Sequence, residues 1–216
     1  ATVSVYDSAM MYGDSVFEML RTFNRTHFKV AEHLTRLQNS ADTLDLPVHD
    51  NLSLTIPLDD TFRPDDEIRT LVTVGRGLLP IYEPLFGPPR PWTMVCQYPL
   101  RLVLAGKSHL YRDGVHAIES SIRQNECIPS HIKHHNRMHF RLAEMEVHRQ
   151  DPAAWTLVRD SSGCVAEATG ANLFIVRHGY LVTPAANCLP GISRDFVLNL
   201  ARSLDIATRM EAIAPS

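Results

Sequence analysis

The sequence has little of what several protein classes require. Its 216 residues carry a formal net charge of −3, which argues against a nucleic-acid-binding protein, because such proteins usually carry a basic stripe. No apolar run is long enough to span a bilayer, so we expect no membrane partner. The four cysteines are scattered without a C-x-x-C pair, a distribution typical of free thiols in a reducing cytoplasm. These absences predict a cytoplasmic globular protein.

The first hundred residues read as an α+β domain. "SVFEMLRTFNRTHFKV" alternates apolar and polar residues and then turns at "NRT", which predicts a β-hairpin. "AEHLTRLQNSADTLDLP" has helical spacing and ends before Pro47, and two further strands follow in "EIRTLVTVGRG" and "PWTMVCQYPL". We therefore predict an N-terminal α+β domain over 1–100, a linker over 101–110 and a C-terminal domain over 111–216.

The C-terminal part mixes strands and helices. A strand is predicted in "VHAIESSIRQ" and consecutive strands in "WTLVRDSSGCVAEATGANLFIVRHGYLVTP". The intervening "NRMHFRLAEMEVHR" predicts a helix with Met138, Leu142 and Met145 along one side. A last helix follows "LPGISRD", with Ser193 as its N-cap. Its predicted buried stripe consists of Val197, Leu200, Ala201 and Leu204.

A histidine-rich stretch, "SHIKHHNRMHF", raises the question of a metal site. His131, His135 and His139 are spaced by four, which would put them on one face of a helix. The H-E-x-x-H arrangement is absent, however, and Pro129 argues against a helix before residue 131. We predict no metal site, and a non-enzymatic, histidine-rich metal-binding protein is kept only as a remote alternative.

Three further features are weak alone and informative together. Lys133 lies in that histidine-rich stretch, Glu167 lies on a predicted strand, and "LPGISRD" places a glycine and a serine at a helix N-terminus. Taken singly, the lysine is compatible with an ordinary surface residue, the glutamate with a solvated or paired carboxylate, and the loop with an ordinary capped helix. Pyridoxal phosphate needs an amine, a carboxylate for its ring nitrogen and an anion-binding loop for its phosphate. The combination favours this cofactor.

The chain resembles the class IV (fold type IV) pyridoxal-phosphate aminotransferases, the family of branched-chain and D-amino-acid aminotransferases. "YGDSVFEMLRTF" is similar to the family opening Y-G-x-x-V-F-E-x-x-R, and "EHLTRLQNSADTL" to its E-H-x-x-R-L helix. "IKHHNR" resembles the lysine motif I-K-x-x-N, and "VAEATGANLFIV" and "LPGISRD" resemble the glutamate strand and the phosphate loop. The matches follow in the family's order. The resemblance implies a two-domain α+β fold.

The resemblance also implies roles for individual residues. Lys133 would form the Schiff base and shuttle the proton, and Glu167 would pair with the pyridine nitrogen. Arg36 would bind phosphate with the loop, Leu189 would pack on the ring, and Asn172 would brace the site. The implied cofactor-binding residues are Arg36, Lys133, Glu167, Asn172, Leu189, Gly191, Ile192 and Ser193.

For substrates, the resemblance implies an amino donor and a 2-oxo acid acceptor. Phe17 and Met19 would wall an apolar pocket, which favours branched-chain or similar donors. The remaining implied substrate residues are Tyr12 and Arg69, and Arg137 beside the lysine is a further candidate cation for a substrate carboxylate. A homodimer is also implied, with Tyr12 acting across its interface.

Departures from the family pattern leave alternatives open. Arg137 and Met138 stand where many branched-chain enzymes have a tyrosine, and Glu67 replaces another tyrosine before the strand arginine. K-H-x-N-R is also seen in aminodeoxychorismate lyases, so a lyase is one alternative, and a D-amino-acid or (R)-amine transaminase is another. The sequence ends at "MEAIAPS", whereas the family continues through a T-G-T-A-like loop, so we expect the second domain to be incomplete.

Overall fold

A computed structural model describes residues 2–48 and 56–215. The chain forms two compact units. The first unit runs up to Tyr111 and also takes in Ile132–Asn136, and the second unit contains Arg112–His131 and the chain from Arg137 onward. Residues Ile132–Asn136, here called the lysine segment because they include Lys133, thus pack with the first unit, although they lie in sequence within the predicted C-terminal domain. The functional division into 1–100, 101–110 and 111–216 remains a prediction.

The first unit is built on a four-stranded antiparallel sheet in the order β2-β1-β3-β4. The predicted hairpin and long helix are present, and short helical turns lie between the two further predicted strands. In chain order the elements are α1 (Ser8–Tyr12), β1 (Ser15–Phe23), β2 (Thr26–His27), α2 (Val30–Thr43), β3 (Ile68–Gly75), a 3₁₀ turn (Pro80–Tyr82), α3 (Glu83–Phe86), β4 (Trp92–Pro99), α4 (Arg101–Leu104) and α5 (Leu110–Asp113), whose last two residues belong to the second unit.

The two faces of β1 have different environments. Val16, Glu18, Leu20 and Thr22 share the face that is fully buried, and Leu37 of α2 is equally buried in this unit. The opposite face is partly open, since Met19 and Arg21 are half-buried and Phe23 is exposed. Successive side chains of a strand point to opposite faces, so β1 presents a core face and an accessible face.

The lysine segment continues this sheet as an extended strip along the start of β1. The backbone N–H of Phe17 donates to the carbonyl of Lys133 at 2.9 Å, and His135 N–H donates to the carbonyl of Ser15 at 3.0 Å. Ile132 is 3% exposed and anchors the strip in the core of the first unit. The backbone around Lys133 is therefore held by main-chain pairing.

The second unit contains two three-stranded sheets, ordered β5-β6-β7 and β10-β9-β8. The predicted strands are present, and the turn before β9 uses His178 and Gly179 at positive φ. The elements are β5 (Ala117–Arg123), α6 (Met138–Gln150), β6 (Trp155–Arg159), β7 (Val165–Ala168), β8 (Ile175–Arg177), β9 (Tyr180–Thr183), α7 (Ile192–Ser203) and β10 (Thr208–Met210). Among the helices within 2–48 and 56–215, none has the length and apolar character needed to cross a bilayer.

The helices of the second unit bury other faces than the sequence indicated. In α6 the buried residues are Phe140, Ala143 and Val147, whereas the apolar row named from the sequence is 65%, 47% and 39% exposed at Met138, Leu142 and Met145. Apolar character alone therefore does not determine which face of this helix is buried.

Two details predicted for α7 are wrong. Its N-cap is Gly191, and Ser193 lies inside the first turn. Of the predicted buried stripe only Ala201 is buried, since Leu200 and Leu204 are 45% and 60% exposed. The buried face instead includes Arg194, whose Nη2 donates to the carbonyl of Pro184 at 2.6 Å. Because Arg194 is hydrogen-bonded and buried, the core face of α7 contains a charged residue, and the apolar pattern of the sequence does not identify that face.

Candidate active site

Lys133 lies half-buried on the accessible side of β1 in the first unit. Its Nζ is 4.7 Å from the ring centre of Phe17, which is itself 8% exposed. Its backbone N–H donates to the hydroxyl of Ser40, on α2, at 3.2 Å. Nearby, Asn136 Nδ2 donates to the carbonyl of Tyr12 at 3.2 Å. The lysine amine is thus presented from a fixed backbone beside an aromatic wall.

Arg36 projects from α2 toward the buried face of β1. Its Nε and Nη2 donate to the two oxygens of Glu18 at 2.6 and 2.8 Å, and the arginine side chain is 12% exposed. His33 Nδ1 lies 2.6 Å from Glu18 Oε2. Arg36 is therefore oriented by an ion pair with a carboxylate that the sequence had not singled out.

Two other substrate residues predicted in the first unit, Met19 and Arg69, lie along the accessible face of its sheet. The sulfur of Met19 accepts a hydrogen bond from the Tyr98 hydroxyl at 3.8 Å. Arg69 is half-buried and pairs in register with Arg21 on β1 and with Tyr98 on β4, and its guanidinium makes no hydrogen bond or ion pair with the residues that the structure describes. Tyr12 is 61% exposed at the end of α1. This face combines apolar side chains with cationic ones.

Glu67 forms its hydrogen bonds within the first unit. One of its oxygens accepts the Asn24 backbone N–H at 2.6 Å, and the other accepts the Thr22 hydroxyl. Burial raises the pKa of Glu67, but these hydrogen bonds outweigh it and hold the pKa below its ordinary value. The carboxylate therefore fixes the β1–β2 turn.

In the second unit, Glu167 is 7% exposed on β7, and donors hold both of its oxygens. Gln124 Nε2 donates to Oε1 at 2.8 Å, and the Leu189 N–H donates to Oε2 at 3.1 Å. Asn172 Nδ2 in turn donates to the Leu189 carbonyl at 2.7 Å. The structure thus brings together three residues predicted from the sequence, Glu167, Leu189 and Asn172, and adds Gln124.

The predicted phosphate loop enters α7 through Gly191. The first N–H groups of a helix have no acceptor within it, and the N-cap residue here, Gly191, has no side chain to supply one. Ile192 is buried while Ser193 is exposed, so the serine hydroxyl is accessible at the positive end of the helix dipole. A β-carbon on Gly191 would lie 1.9 Å from Asn172 Oδ1, so only glycine fits here. These features suit a bound phosphate, and the buried Glu167 carboxylate suits a protonated ring nitrogen.

The close approach at Gly191 makes Gly191→Ala strongly unfavourable. The methyl group would push Asn172 away and break its bond to Leu189, so we expect the free energy of unfolding to fall by about 1–3 kcal/mol. Gly170→Ala is the matched control, because a β-carbon there meets nothing within 4 Å, and its effect should stay within about 0.5 kcal/mol. Urea unfolding of both variants measures the difference, and equal stability would contradict the described packing.

The sequence profile of the family described as Amino-transferase class IV matches residues 15–216. The chain belongs to this family. A putative branched-chain-amino-acid aminotransferase from Methanocaldococcus jannaschii is 34% identical over 212 residues, covering 94% of this chain and 70% of that protein. The predicted family, and with it the prediction of an enzyme, is confirmed.

Solved structures of branched-chain aminotransferases share the fold. The T.th. enzyme with pyridoxamine 5′-phosphate superposes with a TM-score of 0.78 at 26% identity, covering 99% of this chain and 72% of that one. The Thermobaculum terrenum enzyme in its PLP form gives 0.79 at 25% identity, covering 100% and 73%. The fold type IV prediction is confirmed, and these cofactor-bound neighbours support pyridoxal phosphate. This class IV aminotransferase chain spans about 72% of the T.th. chain.

Arg137, a predicted substrate residue, contacts protein groups in the second unit. Its Nη2 donates to the Thr169 carbonyl, and its guanidinium lies 4.6 Å from the ring centre of Phe140. Burial lowers the pKa of Arg137 from its ordinary value, while the carboxylates of Glu167 and Glu144 act in the opposite direction. Arg137 therefore lies in the electrostatic field of Glu167.

The histidines in and around the aminotransferase's lysine segment do not share a helical face. Helix α6 begins only at Met138, so the segment that holds His131 and His135 is not helical. Within the described ranges, no group of three or more His, Cys, Asp or Glu side chains could hold a metal ion. His135 instead packs on the Phe17 ring, with ring centres 4.2 Å apart.

Sequence reasoning missed Glu18, His33, Ser40 and Gln124. A signal for Glu18 exists, because a glutamate in the middle of an apolar strand needs a buried cation. His33 and Arg36 are three residues apart on α2, and this spacing places both on one helical face. Gln124 gave no such signal, since a polar residue at a strand end is ordinary.

Proposed function

We propose that this chain is a pyridoxal-phosphate-dependent transaminase that moves an amino group from an apolar, branched-chain-like amino acid to a 2-oxo acid. The family match and the order of the motifs support this proposal. The observation that carries it is the buried Glu167 carboxylate, whose two oxygens each accept a hydrogen bond. Such hydrogen bonds favour the ionised form, which suits a partner for a protonated pyridine nitrogen.

Each proposed role uses an atom of this chain. When bound, pyridoxal phosphate supplies an electron sink for deprotonation at the donor Cα. Lys133 Nζ would hold the cofactor through a Schiff base and then carry the proton. Glu167 would pair with the ring nitrogen and keep it protonated. Leu189, whose N–H donates to Glu167, would pack on the ring, and Asn172 would fix Leu189.

The phosphate would be held by a cation and by backbone donors. Arg36 offers a guanidinium already oriented by Glu18, and the N-terminal end of α7 offers the N–H groups of Ile192 and Ser193. The Ser193 hydroxyl would add a further donor. Because Gly191 has no side chain, the loop backbone would be able to approach the phosphate closely.

The substrate proposal rests on the accessible face of the first-unit sheet. Phe17 and Met19 supply apolar surface beside Lys133, which suits a branched or linear apolar side chain. Similar proteins are named branched-chain aminotransferases, as in Escherichia coli at 28% identity. Tyr12, Arg69 and Arg137 would orient substrate carboxylates. A screen of amino donors against 2-oxo acids tests the assignment, which is abandoned if apolar L-amino acids are inert while D-alanine or an (R)-arylalkylamine reacts.

Arg69→Ala is expected to discriminate between substrate classes. A dicarboxylic substrate such as glutamate needs a second cation, so its kcat/KM should fall at least about tenfold more than that of leucine, roughly 1.4 kcal/mol. The exposed Arg63→Ala is the control and should leave both substrates unchanged. Parallel losses for glutamate and leucine would remove Arg69 from the substrate site.

One observation favours a second candidate, an aminodeoxychorismate-lyase-type enzyme. The lyase-like "KHHNR" motif ends in Arg137, and this arginine lies in the electrostatic field of Glu167. Release of pyruvate from aminodeoxychorismate without any amino acceptor would select the lyase. A requirement for a 2-oxo acid would select the transaminase.

We also propose a homodimer in the cytoplasm. Several large apolar side chains of the first unit are exposed, including Met10 at 71%, Tyr12 at 61%, Ile81 at 77% and Leu85 at 74%. Exposed apolar surface of this kind marks interaction sites when it is contiguous. The four cysteines are free thiols, which supports a reducing compartment.

A further inference from the structure

Glu18 is a fully buried carboxylate with no role in the function proposed above. It lies in the middle of β1 on the core face, is 0% exposed, and is flanked there by Val16 and Leu20, at 0% and 1%. Burying an ionised carboxylate is unfavourable unless the charge is paired and hydrogen-bonded. Its position therefore requires strong partners.

Both partners come from one face of α2. Arg36 donates through Nε to Oε1 at 2.6 Å and through Nη2 to Oε2 at 2.8 Å, a two-bond fork. His33 Nδ1 lies 2.6 Å from Oε2. Burial raises the pKa of Glu18, but the hydrogen bonds from Arg36 and His33 outweigh it and leave the pKa below its ordinary value. Glu18 is therefore ionised at neutral pH.

The fork fixes the plane of the guanidinium. Two parallel bonds to one carboxylate determine both the position and the tilt of the Arg36 head group. Without them, a long arginine side chain would occupy several rotamers and would lose more entropy on binding an anion. The fork engages Nε and Nη2, so it also sets the direction in which Nη1 points.

We infer that Glu18 is a positioning residue for phosphate recognition, which acts by holding the Arg36 guanidinium in the orientation that binds the cofactor phosphate. This inference rests on the proposed function, because Arg36 receives its phosphate role there. Glu18 itself touches no cofactor atom in this account. Its contribution should appear only for ligands that carry a phosphate.

Comparison of pyridoxal phosphate with pyridoxal isolates that contribution. In Glu18→Gln the Kd of pyridoxal phosphate should rise by about tenfold or more, and the Kd of pyridoxal should stay within about twofold. A merely structural role would weaken both ligands together. Glu18→Asp keeps the negative charge but shortens the side chain by one methylene group. Its Kd for pyridoxal phosphate should rise by less than that of Glu18→Gln, and its Kd for pyridoxal should again stay nearly unchanged. It also provides the test if the glutamine variant does not fold.

Two further variants separate the possible outcomes. Arg36→Gln should weaken pyridoxal phosphate selectively, and adding Glu18→Gln to it should cause no further phosphate-specific loss. Asp66→Asn is the matched control, because Asp66 is 7% exposed in the same unit and accepts from Arg101 Nε at 2.8 Å. It should leave the ratio of the two dissociation constants unchanged.

The results distinguish the inference from the function on which it rests. If Arg36→Gln reduces phosphate selectivity but Glu18→Gln and Glu18→Asp do not, the positioning role is wrong and the phosphate role of Arg36 stands. If Arg36→Gln leaves selectivity intact, the phosphate assignment itself fails. Equal weakening of both ligands by Glu18→Gln and Glu18→Asp would likewise overturn the inference.

Discussion

Lys133→Ala is expected to abolish covalent attachment of pyridoxal phosphate and to reduce turnover by at least three decades, roughly 4 kcal/mol in the barrier. Only an amine can form the covalent link and then carry the proton, and alanine offers neither function. The fold should survive, because the segment is held through the backbone bonds of Lys133 and His135 to β1. Peptide mapping after borohydride reduction measures attachment, and an assay with leucine and 2-oxoglutarate measures turnover.

The composition of the chain makes this test unusually selective. The sequence contains only two other lysines, Lys29 and Lys107. Lys29 forms an ion pair with Glu32 at 2.7 Å on the protein surface. Lys29→Ala and Lys107→Ala should both keep the reducible cofactor and full turnover. Labelling of either residue in the wild-type protein, or normal turnover of Lys133→Ala, would refute the assignment of Lys133.

Glu167→Gln is expected to separate cofactor binding from catalysis. The neutral amide removes the negative partner of the ring nitrogen, so that nitrogen should lose its proton at neutral pH. Loading should remain near normal, while turnover falls by roughly two or more decades, about 3 kcal/mol in the barrier. Absorbance measures loading and steady-state kinetics measure turnover.

A nearby carboxylate provides the control for Glu167. Glu144 is half-buried in the same unit, accepts the Thr169 hydroxyl at 2.8 Å, and also lies in the field of Arg137. Glu144→Gln should therefore change turnover by less than about threefold, because this carboxylate has no role toward the ring. Unchanged turnover in Glu167→Gln would move the ring-nitrogen role to another residue.

The sequence predicted the strands and helices of the fold well, because their patterns are local. The β1–β2 hairpin follows from alternation and a turn at Asn24 and Arg25, both of which adopt positive φ. The second-unit residues Glu167, Asn172 and Leu189 were also predicted, and the structure joins them through hydrogen bonds. Motif order identified these residues, although their mutual contacts are not visible in a sequence.

Where prediction failed, tertiary packing had overridden local pattern. Helix α7 buries Arg194 because Thr183 and Pro184 satisfy its guanidinium, and a rule based on apolar periodicity cannot anticipate this. Glu18 was not predicted as a site residue, because the alternating pattern of β1 does not reveal a partner for its carboxylate. The partners of Glu18 lie fifteen and eighteen residues away on α2, so only the folded chain reveals the pairing.

The central claim, that this chain is a transaminase acting through pyridoxal phosphate, is tested most directly by a spectral titration of the loaded protein. Addition of L-leucine without any 2-oxo acid should convert the bound cofactor stoichiometrically from its pyridoxal to its pyridoxamine form. Subsequent addition of 2-oxoglutarate should restore the original spectrum and release glutamate. A protein that pyridoxal phosphate cannot colour, or a spectrum that no amino donor changes, would contradict the account.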